Sequence, residues 1–169
     1  LGAYRKLGID PLNIIAVTMP GFGTTPRTYN NAIDLIKSFG ATLREIDIKA
    51  SCMQHFKDIN HDINIHDVTY ENAQARERTQ ILMDIANKEN AIVIGTGDLS
   101  ELALGWCTYN GDHMSMYSVN SSVPKTLIKY IIDWYSTIVD DKQRNILNEI
   151  TATPISPELL PPDKKGNIK

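Results

Sequence analysis

Several clusters in the chain bring together residue types that suit a polar, anionic ligand. The loop Gly21-Phe22-Gly23-Thr24-Thr25 is rich in glycine and threonine. Placed between a strand and a helix, its backbone N–H groups could cradle phosphate. The third glycine of a dinucleotide fingerprint and the Gly-Lys-Ser/Thr of a P-loop are both absent from it, and a plain strand-to-helix turn fits equally. Asn72 and Arg76 stand four apart, hence on one helix face, and Arg78 falls on another. An amide and a guanidinium side by side suit a phosphate or carboxylate, and they also suit a solvated helix face. In Asp98-Leu99-Ser100-Glu101 the spacing allows a capping box. It equally places Thr96 and Glu101 at a strand end, where a carboxylate can hold Mg²⁺ beside ATP phosphates. Trp106, Tyr109 and the turn Asn110-Gly111-Asp112 offer ring faces for a heterocycle, or a hydrophobic rim. Lys125 follows Pro124 at a helix start, where a cation opposes the helix dipole. That misfit suggests phosphate binding, beside the plain reading of a solvated lysine. Cys52, His55, His61 and His66 match no zinc spacing and are assigned structural or loop roles.

These residues need a scaffold, and the apolar pattern supplies one. Ile14–Met19, Thr42–Ile48 and Ala91–Ile94 are short β-branched runs that read as strands. Gly95-Thr96-Gly97-Asp98 follows the third as its end. Helices are expected at 26–39, capped by Thr24 or Thr25 and stopped by Gly40, at 51–57, and at 71–88 after a loop at 58–69. Others are expected from Ser100, over 123–139 and over 141–150. Leu82, Ile85 and Ala86 mark the apolar stripe of the long helix, and Leu127, Ile128, Ile131, Ile132 and Tyr135 that of the later one. No period is visible between Trp106 and Ser122. The prolines after Thr151 suggest an extended tail. Strands alternating with helices predict an α/β fold, a parallel sheet flanked by helices. Ligands in such sheets bind beyond the carboxyl ends of the strands, here Thr18–Gly21 and Gly95–Asp98.

Composition narrows the classes. The 169 residues, 42% hydrophobic and 22% charged, suffice for one core. A net charge of −3 gives no bulk attraction to nucleic acid or to an anionic membrane. No apolar run reaches the ~18 residues of a membrane span. Two distant cysteines make no disulfide framework and fit a cytoplasmic setting. Leu1–Gly8 reads as the last turns of a helix, and the polar C-terminus brings no closing element. The expectation is therefore a partial domain over 1–169, with sequence beyond both ends.

Taken together, the stretches Thr18–Thr25, Tyr70–Arg78, Gly95–Trp106, Tyr109–Asp112 and Pro154–Leu159 resemble NAD⁺ synthetase, in particular the synthetase domain of the glutamine-dependent form. The resemblance implies the adenine nucleotide alpha-hydrolase-like fold of ATP pyrophosphatases. It implies ATP-dependent adenylation of deamido-NAD⁺, then attack by ammonia from a glutaminase domain. It assigns Thr18, Met19, Thr96 and Lys125 to ATP. Asn72, Arg76, Glu101, Trp106, Cys107, Thr108, Tyr109 and Asp112 fall to deamido-NAD⁺, with Glu101 also at Mg²⁺. A homo-oligomer is expected. The family's Ser-Gly-Gly-x-Asp-Ser pyrophosphate loop does not occur in these residues, so the chain by itself is expected to be inactive. The other readings are a GMP- or asparagine-synthetase-like amidotransferase domain and a non-catalytic dimerisation fragment.

Overall fold

The computed structural model describes residues 1–153 and 159–161; the sequence readings for 154–158 and 162–169 lie outside the described residues. In chain order the elements are α1 (Gly2–Leu7), a 3-10 turn (Pro11–Asn13), β1 (Ile15–Thr18), α2 (Pro26–Phe39), β2 (Thr42–Glu45), α3 (Lys49–Asp58) and α4 (Val68–Glu89). There follow β3 (Ile94–Asp98), α5 (Leu99–Leu104), β4 (Tyr117–Asn120), α6 (Lys125–Ser136) and α7 (Asp141–Thr151). Among the described residues no helix is long and apolar enough to cross a membrane.

Local chemistry sets most boundaries. Thr25 caps α2 by accepting the Thr28 N–H at 3.2 Å, Pro26 opens the helix, and Gly40 closes it in the left-handed region at φ 70°. Such a cap contributes about 1 kcal/mol. The long helix α4 starts three residues earlier than its apolar pattern suggests. Asp67 caps it, accepting the Thr69 and Tyr70 N–H groups at 2.9 and 3.0 Å. Those bonds, the one from Tyr70 foremost, hold its carboxyl below the usual range.

Among the described residues all strand pairing is parallel, as the alternation of strands and helices predicts. β1 pairs β2 from Ile15↔Thr42 to Thr18↔Glu45. β3 pairs β4 from Ile94↔Tyr117 to Asp98↔Asn120, with an irregularity after Gly95. Two expectations need correction. The third strand, expected over Ala91–Ile94 with Gly95–Asp98 as its end, begins only at Ile94 and runs through Asp98. The partner strand β4, unseen in the sequence, supplies the pairing that carries the strand on. The four strands also form two separate pairs, not one continuous sheet, among the described residues.

The buried centre lies where α3 meets α4. Ile48, Cys52, Phe56, Tyr70 and Ala73 form it, with Met19, Phe22, Ile63, Ile81 and Leu160 packed around them. Phe56 and Tyr70 stack at 5.5 Å. Burial pushes the Cys52 thiol up to about 11 and the Tyr70 hydroxyl to about 12. On the expected α4 stripe Ala86 is buried, and Leu82 and Ile85 are half-buried. The expected α6 stripe is only partly covered: Leu127 and Ile131 are each 45% exposed. The packed side is the one bearing Ile132, Tyr135 and Ser136, against which α7 lies.

Candidate functional site

A cavity of about 620 Å³ opens between the segment after β1, one face of α4, β3 and the loop that follows α5. Met19 contributes the first wall. Asn72, Ala75, Arg78 and Leu82 contribute the helix face, and Gly95 and Thr96 the strand. Trp106, Cys107, Thr108 and Asp112 contribute the loop. A neighbouring cavity of about 120 Å³ shares Thr96, Cys107 and Asp112 and adds Glu101 and His113.

The wall after β1 is fixed from below by α4. Gln74 Oε1 accepts the Phe22 N–H at 3.2 Å, and Arg78 Nε donates to the Met19 carbonyl at 3.1 Å. Gly21 donates its N–H to Thr24 Oγ1 at 2.9 Å. A Cβ at Gly21 would stand 2.8 Å from both Gln74 Oε1 and Arg78 Nη2, so a side chain here would have to push both of them aside. The N–H groups of Gly21 and Phe22 are thus bonded within the protein, as in a strand-to-helix turn.

The opposite wall is tied to α4 by a few polar bonds. Thr108 is buried; its hydroxyl donates to Asn72 Oδ1 at 2.7 Å, and its N–H donates to Asp112 Oδ1 at 2.8 Å. Arg76 Nε donates to the Tyr109 carbonyl at 3.0 Å. His113 Nδ1 lies 2.8 Å from the Thr108 carbonyl, which can only accept, so this ring nitrogen carries a hydrogen. Trp106 and Tyr109 are 76% and 75% exposed, so neither ring belongs to the core of the described residues.

Glu101 serves two structures at once. Its Oε2 accepts the Asp98 N–H at 3.1 Å while Asp98 Oδ1 accepts the Glu101 N–H at 3.0 Å, completing the capping box. Its Oε1 meets Lys125 Nζ at 3.0 Å. That hydrogen bond, with the charges of Glu101 and Asp98, raises the lysine's affinity for its proton. The carboxylate also answers the misfit of a cation at the start of α6. The Lys125 N–H is taken by Ser100 Oγ at 3.1 Å.

Of the residues singled out in the sequence, Met19, Asn72, Thr96, Trp106, Cys107, Thr108 and Asp112 border the larger cavity, and Glu101 the smaller. Thr18, Arg76, Tyr109 and Lys125 border neither. Arg76 and Tyr109 reach the rim through each other and Lys125 through Glu101, whereas Thr18 lies within β1, its carbonyl accepting the Ile46 N–H. Arg78, assigned to another face, borders the cavity, whereas the Arg76 guanidinium turns to the rim. Sequence reasoning also missed Gln74 and Leu159. The available signal was the four-residue spacing of Gln74 and Arg78. Among the described residues no three His, Cys, Asp or Glu side chains group as a metal cage. His61 and His66 pack on Phe56 and Tyr70, with ring centroids 5.3 and 4.6 Å apart.

Comparison with known proteins bears on this arrangement. Residues 3–140 match the family model described as NAD synthase. The chain is 44% identical over 174 residues to the glutamine-dependent NAD(+) synthetase of Mycobacterium leprae, covering 99% of this chain and 26% of that protein. It is 46% identical over 166 residues to the enzyme of the same name from Mycobacterium tuberculosis strain H37Rv, covering 94% and 24%. It thus spans about a quarter of the length of these curated relatives. Among solved structures, the glutamine-dependent NAD+ synthetase of Acinetobacter baumannii in complex with ADP superposes with a TM-score of 0.72. Its identity is 26%, over 82% of this chain and 27% of that one. The NH3-dependent NAD synthetase of Campylobacter jejuni gives a TM-score of 0.71 and 25% identity, over 89% and 61%. With the parallel strands flanked by helices, these likenesses establish the adenine nucleotide alpha-hydrolase-like fold.

Proposed function

The chain belongs to the NAD synthase family, and from that membership and the geometry of the cavity we propose that it forms part of the amide-forming domain of a glutamine-dependent NAD⁺ synthetase. In this reading ATP adenylates the nicotinate carboxylate of deamido-NAD⁺ and pyrophosphate leaves. Ammonia from a glutaminase domain then attacks the acyl carbon, AMP departs, and one proton of the nitrogen is lost. A carboxylate is a poor electrophile; the adenylate supplies a leaving group. The observation that carries the proposal is the 620 Å³ cavity. It joins a preset wall after β1 to a polar, aromatic wall over Asn72, as a two-substrate site requires.

Met19 and Thr96 sit where an adenine nucleotide would meet the strand ends, with Thr18 supplying backbone behind them and Lys125 a cation near its phosphates. Asn72, Arg76, Thr108, Tyr109 and Asp112 form a connected polar rim for deamido-NAD⁺. Trp106 offers an open ring face for a heterocycle, and Cys107 borders the same space. Bound Mg²⁺ would neutralise phosphate charge and draw electron density from the reacting phosphorus. Glu101 would be the carboxylate that holds the ion, through the lone pairs left by its bonds to the Asp98 N–H and Lys125. Lys125 is then positioned beside the same carboxylate to meet the phosphates. A homo-oligomer in the cytoplasm completes the reading.

The test is a coupled assay on the full-length protein with deamido-NAD⁺, ATP and ammonium. Stoichiometric NAD⁺, AMP and pyrophosphate are expected, with no turnover when other acids replace deamido-NAD⁺. Release of ADP instead of AMP would overturn the adenylation step.

A further inference from the structure

Gln74 is fully buried, and both ends of its amide are engaged. Oε1 accepts the Phe22 N–H at 3.2 Å; Nε2 donates to the Tyr70 carbonyl at 3.2 Å and to the Leu159 carbonyl at 2.9 Å. Phe22 lies 52 residues away in sequence and Leu159 lies 85 away. Met19, three residues before Phe22, and Leu159 both border the larger cavity. One turn further along α4, Arg78 holds the Met19 carbonyl, and Gly21 leaves no room for a side chain against either residue. A buried amide of this kind has a donating end and an accepting end facing in fixed directions, so it sets distances as a hydrocarbon cannot.

We infer that Gln74 is a positioning residue for the nucleotide half of the reaction: its side-chain amide fixes the spacing between the Met19 wall and Leu159, which borders the same cavity. The inference rests on the reading that Met19 lines the nucleotide subsite. Gln74 touches neither substrate; it acts through the backbone of Phe22 and Leu159.

The experiment is steady-state kinetics on the full-length protein carrying Gln74→Glu. Assayed at the alkaline end of the working range, where a buried carboxyl is ionised, the introduced group keeps the shape and still accepts from Phe22, but brings no proton to the Tyr70 and Leu159 carbonyls. The ATP KM is expected to rise about tenfold, with kcat and the deamido-NAD⁺ KM within about twofold of wild type. Lowering the pH protonates the introduced carboxyl and restores a donor, so the gap to wild type should narrow. Overall loss of packing would give neither the selectivity nor the narrowing. A folded Gln74→Glu protein with wild-type ATP KM, or with equal losses for both substrates, overturns the inference. Should that variant fail to fold, Gly21→Ala decides, since its methyl displaces Gln74 Oε1 and Arg78 Nη2. It should raise the ATP KM selectively, and a wild-type profile overturns the inference. Met19→Ala, run in parallel, separates the two readings. Unchanged ATP KM in Met19→Ala sinks the nucleotide assignment of this wall and the inference with it. A raised ATP KM in Met19→Ala with a silent Gln74→Glu sinks the positioning role alone.

Discussion

The two strand ends that face the cavity are built on different terms. After β1 the chain turns over a closed aromatic cluster, and Gln74 and Arg78 hold its backbone directly. After β3 the chain enters a six-residue helix and a loop whose large side chains stand in solvent: Leu104 is 78% exposed, Trp106 76% and Tyr109 75%. Side-chain bonds at Asn72, Asp112, Arg76 and His113 fix that loop. The first end draws its shape from burial and should hold it without ligand. The second has little apolar burial of its own, so its stability lies at the low end of the molecule.

Paired truncations break this comparison most directly. Phe56→Ala removes a buried ring from beneath the first wall and is expected to cost about 3–5 kcal/mol of stability. Trp106→Ala, on the open loop, should fall within about 0.5 kcal/mol of wild type. Denaturant unfolding of both variants checks this; equal losses would erase the distinction between the walls.

Glu101→Gln sharpens the comparison at the open end. The amide retains one acceptor and can serve either the Asp98 N–H or Lys125, so the helix start should lose less than ~1 kcal/mol. The charge needed by a hard cation disappears. Turnover of the full-length protein should therefore drop by roughly a hundredfold or more, the range for one preorganised electrostatic contact. Added Mg²⁺ should recover part of it. An early-melting variant with normal turnover would reduce Glu101 to its capping role.

The cysteines report the same contrast more gently. Cys107 is exposed and Cys52 buried, so a thiol reagent at neutral pH should label Cys107 alone in the folded protein. The Cys52 thiol is raised by burial from 9.0 to about 11. A raised folded-state value gives stability that is full below the unfolded value and is lost as pH climbs through the folded one. The unfolding midpoint should thus fall between about pH 9 and 11, and less so in Cys52→Ala. Rapid labelling of Cys52 at neutral pH would show the first wall to be open.

Sequence alone revealed what local chemistry decides. Thr25, Pro26 and Gly40 bracket α2 where they were expected, and Gly8 closes α1. The capping box of Asp98 and Glu101 was equally visible. What escaped depends on distant partners. Tyr117–Asn120 alternates over only four residues, too short a run to stand out, and its pairing with Ile94–Asp98 is what marks it as a strand. The apolar period of α6 was correct, yet periodicity does not say which part of a stripe is covered, and Leu127 and Ile131 remain half in solvent. Gln74 reads as a surface residue until Phe22 and Leu159 are brought to it. At the site, residue types were legible one at a time, but that Arg78 borders the cavity while Arg76 turns to its rim follows from how α4 is rotated against both walls.

That helix has a consequence for how the chain can vary. Through 22 residues α4 addresses Tyr70 to the core, Asn72 and Arg76 to one wall, Gln74 and Arg78 to the other, and Glu89 to Arg44 at its far end. Its addresses are angular. One residue inserted between Asn72 and Gln74 would turn everything downstream by about 100°, sending Gln74 and Arg78 away from β1 while Asn72 stayed in place. Side chains along α4 can be exchanged singly, but its phase cannot, so length change in this chain should be confined to the loops.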